Sequence, residues 1–235
     1  HVNELYAMGL HQGVSGIEEG DASLKQETGY KVLGNLDWRS NNKLFVQALI
    51  YYQYVENYIF LQPEDVFRLT IRGAFPVFTY RQTIASLAGG DLLVSYQPTK
   101  NLKAILKYAL IRARDLSNEL GLVNIPADNL LLELEYGFAK MGVFENSFIK
   151  LGGEYVFRQS RISEEQDFLA PPDPYFIAQF RMGTHLQWSD RKLELNFFVD
   201  NLFKTGYRDY LNRLRYFADE PGINFGLRLN YQWES

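Results

Sequence analysis

One stretch near the start of the chain combines residue types that bind metal ions. His11 is followed by Glu18, Glu19 and Asp21. A neutral imidazole suits iron and zinc equally well, and carboxylate oxygens attract hard cations. These residue types make His11, Glu18, Glu19 and Asp21 candidate metal contacts. The simpler alternative is a solvated loop whose histidine bonds its own backbone.

A second set of reactive residues lies in a long segment before the C-terminus, where arginines alternate with tyrosines. A guanidinium group can hold an anion through two parallel hydrogen bonds and can stack on an aromatic ring. The segment therefore predicts that these side chains bind an anionic chelate, or equally the phosphates of lipopolysaccharide. The predicted ligand contacts are Tyr6, His11, Arg208, Arg213 and Arg215.

The sequence holds no arrangement typical of an enzyme. No serine lies in a nucleophile elbow and no His-x-x-x-His spacing occurs. Cysteine is absent, which excludes disulfides and thiolate metal sites. We expect no enzyme activity and no resident cofactor, with a membrane protease or phospholipase barrel as the enzymatic alternative. The basic residues are scattered and the net charge is −4, so the sequence shows no basic cluster of the kind that binds nucleic acid.

The elements that must position these residues are strands, because apolar and polar residues alternate along most of the chain. The clearest case is the C-terminal segment, where Ile223, Phe225, Leu227, Leu229 and Tyr231 alternate with polar residues or glycine. The same alternation predicts nine strands, at about 30–39, 44–54, 75–97, 102–112, 130–138, 149–158, 176–188, 192–200 and 223–233.

The connections between these strands alternate in length. Short turns are predicted near 40–42, 98–100, 141–142 and 189–191, and long loops at 60–74, 113–128, 159–174 and 204–221. Outer-membrane barrels have short turns at one end and long loops at the other. No apolar run approaches the roughly 20 residues of a membrane helix. We therefore predict an all-β, antiparallel, up-and-down transmembrane β-barrel, with a soluble β-rich binding module as the alternative.

Nine is an odd number of strands, whereas bacterial single-chain barrels have an even number. If the C-terminus is periplasmic, the strand at 30–39 runs inward, and residues 1–28 belong to an extracellular loop. The chain is then expected to be the C-terminal part of a larger barrel, with residues 29–235 forming the wall.

Four stretches of the sequence, in order, resemble the family of TonB-dependent outer-membrane receptors. Residues 2–28, from Val-Asn-Glu-Leu-Tyr to Ala-Ser-Leu-Lys-Gln-Glu-Thr, are similar to its "E-L-Y … G-N-x-x-L-x-x-E" loop. Residues 85–91 look like its "A-x-L-x-G-x-E" strand, and residues 124–128 look like its "I-P-x-x-R" loop. Residues 199–207, with the final strand, resemble its "V-x-N-L-F-D-x-x-Y" signature.

This resemblance implies a function and a set of partners. The whole receptor would have 22 strands and an N-terminal plug, would lie in the outer membrane of a Gram-negative bacterium, and would import a siderophore, haem or metal ion with energy from TonB-ExbB-ExbD. The other partners would be outer-membrane lipid and lipopolysaccharide and the small-molecule metal chelate. In haem receptors of the family a histidine placed like His11 binds the iron, and zinc importers share its Gly-x-His context. A passive porin or adhesin barrel without a plug is the alternative.

The polar positions of the strands would then line the lumen and hold the plug through hydrogen bonds and ion pairs. They are Glu133, Glu135, Lys150, Glu154, Arg181, His185, Glu194, Asp200 and Arg228.

Overall fold

The computed structural model describes residues 2–11, 13, 15–188 and 191–233. One short helix, α1 (Val2–Tyr6), precedes twelve strands that belong to one sheet. The strands are β1 (Met8–His11), β2 (Gly16–Glu19), β3 (Thr28–Ser40), β4 (Leu44–Thr70), β5 (Gly73–Tyr96), β6 (Leu102–Asp115), β7 (Leu120–Gly121), β8 (Asn129–Gly137), β9 (Phe144–Val156), β10 (Tyr175–Trp188), β11 (Arg191–Asp200) and β12 (Asn224–Trp233). Short 3₁₀ helices occupy Glu164–Gln166 and Arg213–Tyr216.

Nine long strands form a continuous antiparallel wall in the order β3, β4, β5, β6, β8, β9, β10, β11, β12. Each wall strand is hydrogen-bonded to the next one along the chain, which is the up-and-down connectivity of a barrel. These nine strands confirm the all-β, up-and-down prediction and occur in the order of the nine predicted segments, although β4 continues from the predicted 44–54 to Thr70. The three short strands β1, β2 and β7 were not predicted.

Strand register gathers the predicted polar positions on one face of the wall. Residues that face each other across neighbouring antiparallel strands point to the same side of a sheet. Glu135 lies opposite Lys150, and Lys150 lies opposite Arg181. Glu135 Oε2 and Lys150 Nζ are 2.9 Å apart, a direct ion pair across the sheet. The same register places Glu133, Glu154, His185, Glu194, Asp200 and Arg228 on this polar face.

The opposite face of the wall is apolar and exposed. Leu36 is 61% exposed, Leu134 46%, Leu151 52% and Leu227 64%. Such a continuous exposed apolar surface is costly in water and is the normal outer surface of a transmembrane barrel. Within the described residues no helix is long and apolar enough to span a membrane, a finding that concerns helical spans only.

Aromatic rings cover glycines on the polar face and fix how closely neighbouring strands pack. A Cβ atom on Gly89 would come 2.4 Å from the ring of Tyr51, its partner on β4. A Cβ atom on Gly226 would meet the ring of Phe198 on β11 at the same distance. Each ring therefore occupies the space that a side chain would need, and the cross-strand pair fixes the local register.

The long loop predicted at 60–74 is wrong, because these residues continue β4 and β5 into a hairpin with a turn at residues 71–72. The register between the two strands shifts twice, between Val55 and Tyr58 and between Pro63 and Phe67. A bulge inserts an extra residue and so breaks the period-2 alternation without ending the strand. The apolar–polar alternation is therefore interrupted at the bulges, although β4 and β5 continue through them.

The other segments predicted as loops contain local structure. Residues 113–128 include the end of β6 and the short strand β7, and residues 204–221 include the second 3₁₀ helix. Residues 1–28 hold α1 and the β1–β2 hairpin, and β2 pairs in parallel with β5 at Val77–Thr79. The predicted turn at 189–191 lies mostly outside the described residues.

Candidate ligand-binding mouth

The long connections gather at one end of the wall, opposite the short turns at 41–43, 97–101 and 138–143. They comprise the tip of the β4–β5 hairpin and the loops at 116–128, 157–174 and 201–223. We call this group, together with α1, β1 and β2, the loop cluster. Side chains far apart in sequence join its members, so the loops form one packed body rather than separate solvated tips.

A buried ion pair joins two of these loops. Arg215 Nη2 donates to Asp167 Oδ2, and only 3% and 2% of the two side chains are exposed. Tyr216 donates its hydroxyl to Asp167 Oδ1 at 2.6 Å, and Arg215 Nε donates to the Tyr210 carbonyl at 3.0 Å. Both charged groups therefore have the additional hydrogen bonds that a buried pair needs to offset its desolvation.

A second ion pair joins the first and last thirds of the chain. Arg213 Nη1 lies 2.7 Å from Glu18 Oε1, and Tyr80 donates to the other oxygen of Glu18 at 3.2 Å. The guanidinium group of Arg213 also lies over the ring of Phe78, 5.2 Å from its centroid. Because β2 lies beside β5, this contact brings the loop at 201–223 to the β4–β5 hairpin.

A third cluster surrounds Asp128, just before β8. Arg112 binds both its carboxylate oxygens, at 2.6 and 2.8 Å, and Arg161 donates to one of them at 3.0 Å. Burial alone would raise the pKa of Asp128, but the hydrogen bonds from Arg112 and the charge of Arg161 outweigh burial and hold the pKa below the usual 3.8. The ionised carboxylate therefore holds the loops at 116–128 and 157–174 together.

We expect Asp128→Asn to lower the local opening free energy of these loops by about 1–3 kcal/mol at pH 7, since it removes charge-assisted hydrogen bonds. Because the pKa of Asp128 is lower in the folded protein than in the unfolded chain, the ionised carboxylate stabilises the fold at pH values above the unfolded pKa. This stabilisation is lost as the pH falls through the folded pKa. The difference between the variant and the wild type should therefore shrink below about pH 4. Hydrogen exchange of residues 116–128, corrected for intrinsic exchange rates, measures the local opening free energy. A difference between variant and wild type that does not change with pH would contradict the stabilising role of the ionised Asp128.

The structure does not assemble the predicted metal-binding residues. Glu18 pairs with Arg213, Glu19 pairs with Arg68 at 2.6 Å, and Asp21 accepts hydrogen bonds from Ser23. Within the described residues no group of three or more histidine and acidic side chains is close enough to hold a metal ion. His11 is exposed on β1, opposite Gly16, and its role as a single ligand stays a prediction.

The three predicted arginines are each engaged by an acidic residue. Arg215 is buried against Asp167, Arg213 is paired with Glu18, and the Nε of Arg208 lies 2.6 Å from Asp219. Arg213 and Arg215 join different segments of the loop cluster, whereas Arg208 pairs within its own loop at 201–223. All three guanidinium groups are therefore already in ion pairs. Tyr6 lies on α1 and is 68% exposed.

A cavity of about 610 Å³ lies between the loop cluster and the polar face of β9, β10 and β11. Its volume falls within the range of about 300–1,000 Å³ that is usual for small-molecule sites. Its lining combines tyrosine rings with carboxylates, chiefly Tyr175, Tyr207, Tyr210, Glu154, Asp200 and Asp209. We call it the mouth cavity.

The tyrosines of the mouth cavity are packed and neutral. The rings of Tyr175 and Tyr207 lie 4.4 Å apart, and Tyr175 donates its hydroxyl to Asp209 Oδ2 at 2.9 Å. Burial raises the pKa of Tyr210 to about 12. The pKa of Tyr207 is also raised, mainly by burial and secondly by the negative charge of Glu220. At neutral pH these groups therefore offer aromatic faces and hydroxyls, not charge.

Sequence reasoning missed most of this cavity. Glu154 and Asp200 were predicted as polar wall positions, but nothing in the alternation connected them with Tyr175 or Asp209. The available signal was the density of aromatic and acidic residues in 204–221, which the arginines in the same segment obscured.

No family model matches the chain, and no curated protein matches it. Solved structures do. The copper transporter OprC is 21% identical, with a TM-score of 0.72, over 89% of this chain and 32% of its own. The FrpB iron transporter from Neisseria meningitidis (F3-3 variant) is 15% identical, with a TM-score of 0.63, over 92% and 33%. The siderophore receptor PirA from Acinetobacter baumannii is 13% identical, with a TM-score of 0.61, over 91% and 33%.

These neighbours are TonB-dependent receptors, and the likeness establishes the fold. The sheet has the architecture of the C-terminal part of such a receptor barrel. The chain spans about a third of the length of the solved structures it matches.

Proposed function

We propose that this chain is the C-terminal part of the barrel of a TonB-dependent outer-membrane receptor that imports a scarce nutrient, such as a siderophore, haem or a metal ion. The observation that carries the proposal is the nine-strand wall, with one polar and one exposed apolar face and with the fold of such receptors. The structurally similar proteins include a copper transporter, an iron transporter and a siderophore receptor.

In this proposal the apolar face lies against outer-membrane lipid, and the loop cluster with lipopolysaccharide around it faces outward. The polar face lines the lumen. Its ion pairs, such as Glu135–Lys150, can exchange partners with a plug, because both side chains are partly exposed. The nutrient would bind between the loop cluster and the plug, and TonB-ExbB-ExbD would supply the energy that moves the plug.

Uptake in living cells tests the proposal. A strain deleted for the complete receptor gene would be complemented with wild type, with and without TonB, and tested for uptake of labelled iron siderophores, haem, copper and zinc. We expect at least one of these nutrients to enter only when both the receptor and TonB are present. In the same assay His11→Ala is expected to reduce uptake only if the nutrient is haem or zinc.

Two results would contradict the proposal. One is a receptor that is absent from the outer-membrane fraction. The other is receptor-dependent entry of small sugars or antibiotics at a rate that does not depend on TonB, which is the behaviour of a passive porin.

A further inference from the structure

The charged groups of the mouth cavity have one dominant sign. Among its described lining residues, carboxylates come from Glu154, Asp173, Asp200, Asp209 and Glu220, whereas a cationic side chain comes from Arg208 alone. That guanidinium group is already bound to Asp219, outside the lining, and to the Arg215 carbonyl at 2.8 Å. The cavity is therefore a site of negative potential, with low-dielectric walls that strengthen the field inside it.

Two of these carboxylates lack a full set of partners. The side chain of Glu154 has no hydrogen bond and no ion pair with any described residue, although it lies on the polar face of β9 beside the cavity. Asp200 Oδ1 is buried without a hydrogen-bond donor in the described part of the chain, and the nearest cation, Arg181 Nη2, is 3.7 Å away. A buried oxygen without a donor costs free energy. The Asp200 side chain as a whole still lines the cavity and is 37% exposed.

The aromatic lining suits the same kind of occupant. A cation over the face of a tyrosine ring is attracted by the ring quadrupole, and a neutral phenol keeps that attraction. Tyr175 and Tyr207 form a packed pair on one side of the cavity, next to the carboxylate of Asp209. An anionic ligand would meet carboxylates here, because the arginines of the last loop are held by Glu18, Asp167 and Asp219.

We propose that the mouth cavity binds a ligand of net positive charge, either an organic cation or a cationic metal complex, through Glu154, Asp200 and Asp209 and the faces of Tyr175 and Tyr207. This inference rests on the proposed function, since it names the charge class of the imported nutrient. It also reverses the expectation of an anionic chelate that the arginine-rich segment suggested.

Two inert cobalt complexes of similar shape and opposite charge test the charge class. Hexaamminecobalt(III) and hexacyanocobaltate(III) would be titrated calorimetrically into the purified complete receptor at low ionic strength. The variants are Glu154→Gln and Asp209→Asn, and the control is Glu119→Gln, which removes the same charge from an exposed residue outside the cavity lining. Heat-modifiable migration in gels verifies that each barrel is folded.

We expect the hexaammine to bind more tightly than the hexacyanide and to lose affinity as salt is added. Each cavity variant should weaken it by about fivefold or more, the effect of one unit charge at about 4 Å in water, and the control should bind as wild type does. Equal or tighter binding of the hexacyanide, no binding of either complex, or unchanged affinity in both cavity variants would overturn the inference. TonB-dependent uptake is measured separately, so an anionic nutrient would remove this inference and leave the proposed function standing.

Discussion

Arg215→Ala is expected to lower the local opening free energy of the loops at 157–174 and 201–223 by about 3–5 kcal/mol, because it leaves the Asp167 carboxylate buried without its cation. The hydrogen bond from Arg215 Nη2 to the Tyr216 hydroxyl, 3.2 Å long, is lost as well. Hydrogen exchange of the two loops in the folded, detergent-solubilised receptor measures this change without requiring the barrel to unfold.

A control and a double variant make the test specific to the buried pair. Arg68→Ala breaks an exposed pair with Glu19 and should change local stability by no more than about 1 kcal/mol. Arg215→Met combined with Asp167→Leu removes both charges, and it should be markedly less damaging than either single charge removal. If Arg215→Ala and Arg68→Ala have the same effect, the buried pair does not hold the loops together.

Gly121→Ala is expected to separate the loop at 116–128 from the loop at 157–174. A Cβ atom at Gly121 would lie 1.9 Å from the carbonyl oxygen of Arg161, and a backbone atom cannot rotate away as a side chain can. Overpacking usually costs about 1–3 kcal/mol and occasionally more, and this contact belongs at the upper end because the backbone itself must shift. The hydrogen bond from Gln166 to the Gly121 carbonyl should be lost with it.

Gly206→Ala provides the matched control, since nothing lies within 4 Å of its Cβ position and no left-handed φ is required there. Limited proteolysis of the folded receptor should cut the Gly121→Ala variant within 157–174 much faster than wild type, and the Gly206→Ala variant at the wild-type rate. Equal protection of both variants would mean that β7 is not packed against Arg161 as described.

Both predictions concern contacts that the sequence did not reveal, whereas the wall itself was largely readable. β12 runs from Asn224 to Trp233 and was predicted at 223–233; β3 runs from Thr28 to Ser40 and was predicted at 30–39. Alternation with period 2 is a local property, because neighbouring residues of a strand point to opposite faces whatever lies beside it. Where bulges interrupted that period, in the β4–β5 hairpin, the prediction failed.

The loop cluster shows the opposite case. The arginine-rich segment was interpreted as a set of ligand contacts, and its sequence did not identify the acidic residues with which the arginines pair. Arg213 meets Glu18 across 195 positions of sequence, and Arg215 meets Asp167 across 48. The same arginines could bind an anionic ligand if their carboxylate partners lay elsewhere in the structure.

The sequence by itself therefore determined the number and order of the wall strands and their polar and apolar faces, since these follow from the spacing of neighbouring residues. Only the tertiary structure decided which charges neutralise one another and which carboxylates remain to line the mouth cavity. The physical reason is that a charge acts through distance in space and through the local dielectric, and neither can be read from positions along a chain whose loops fold back across the wall.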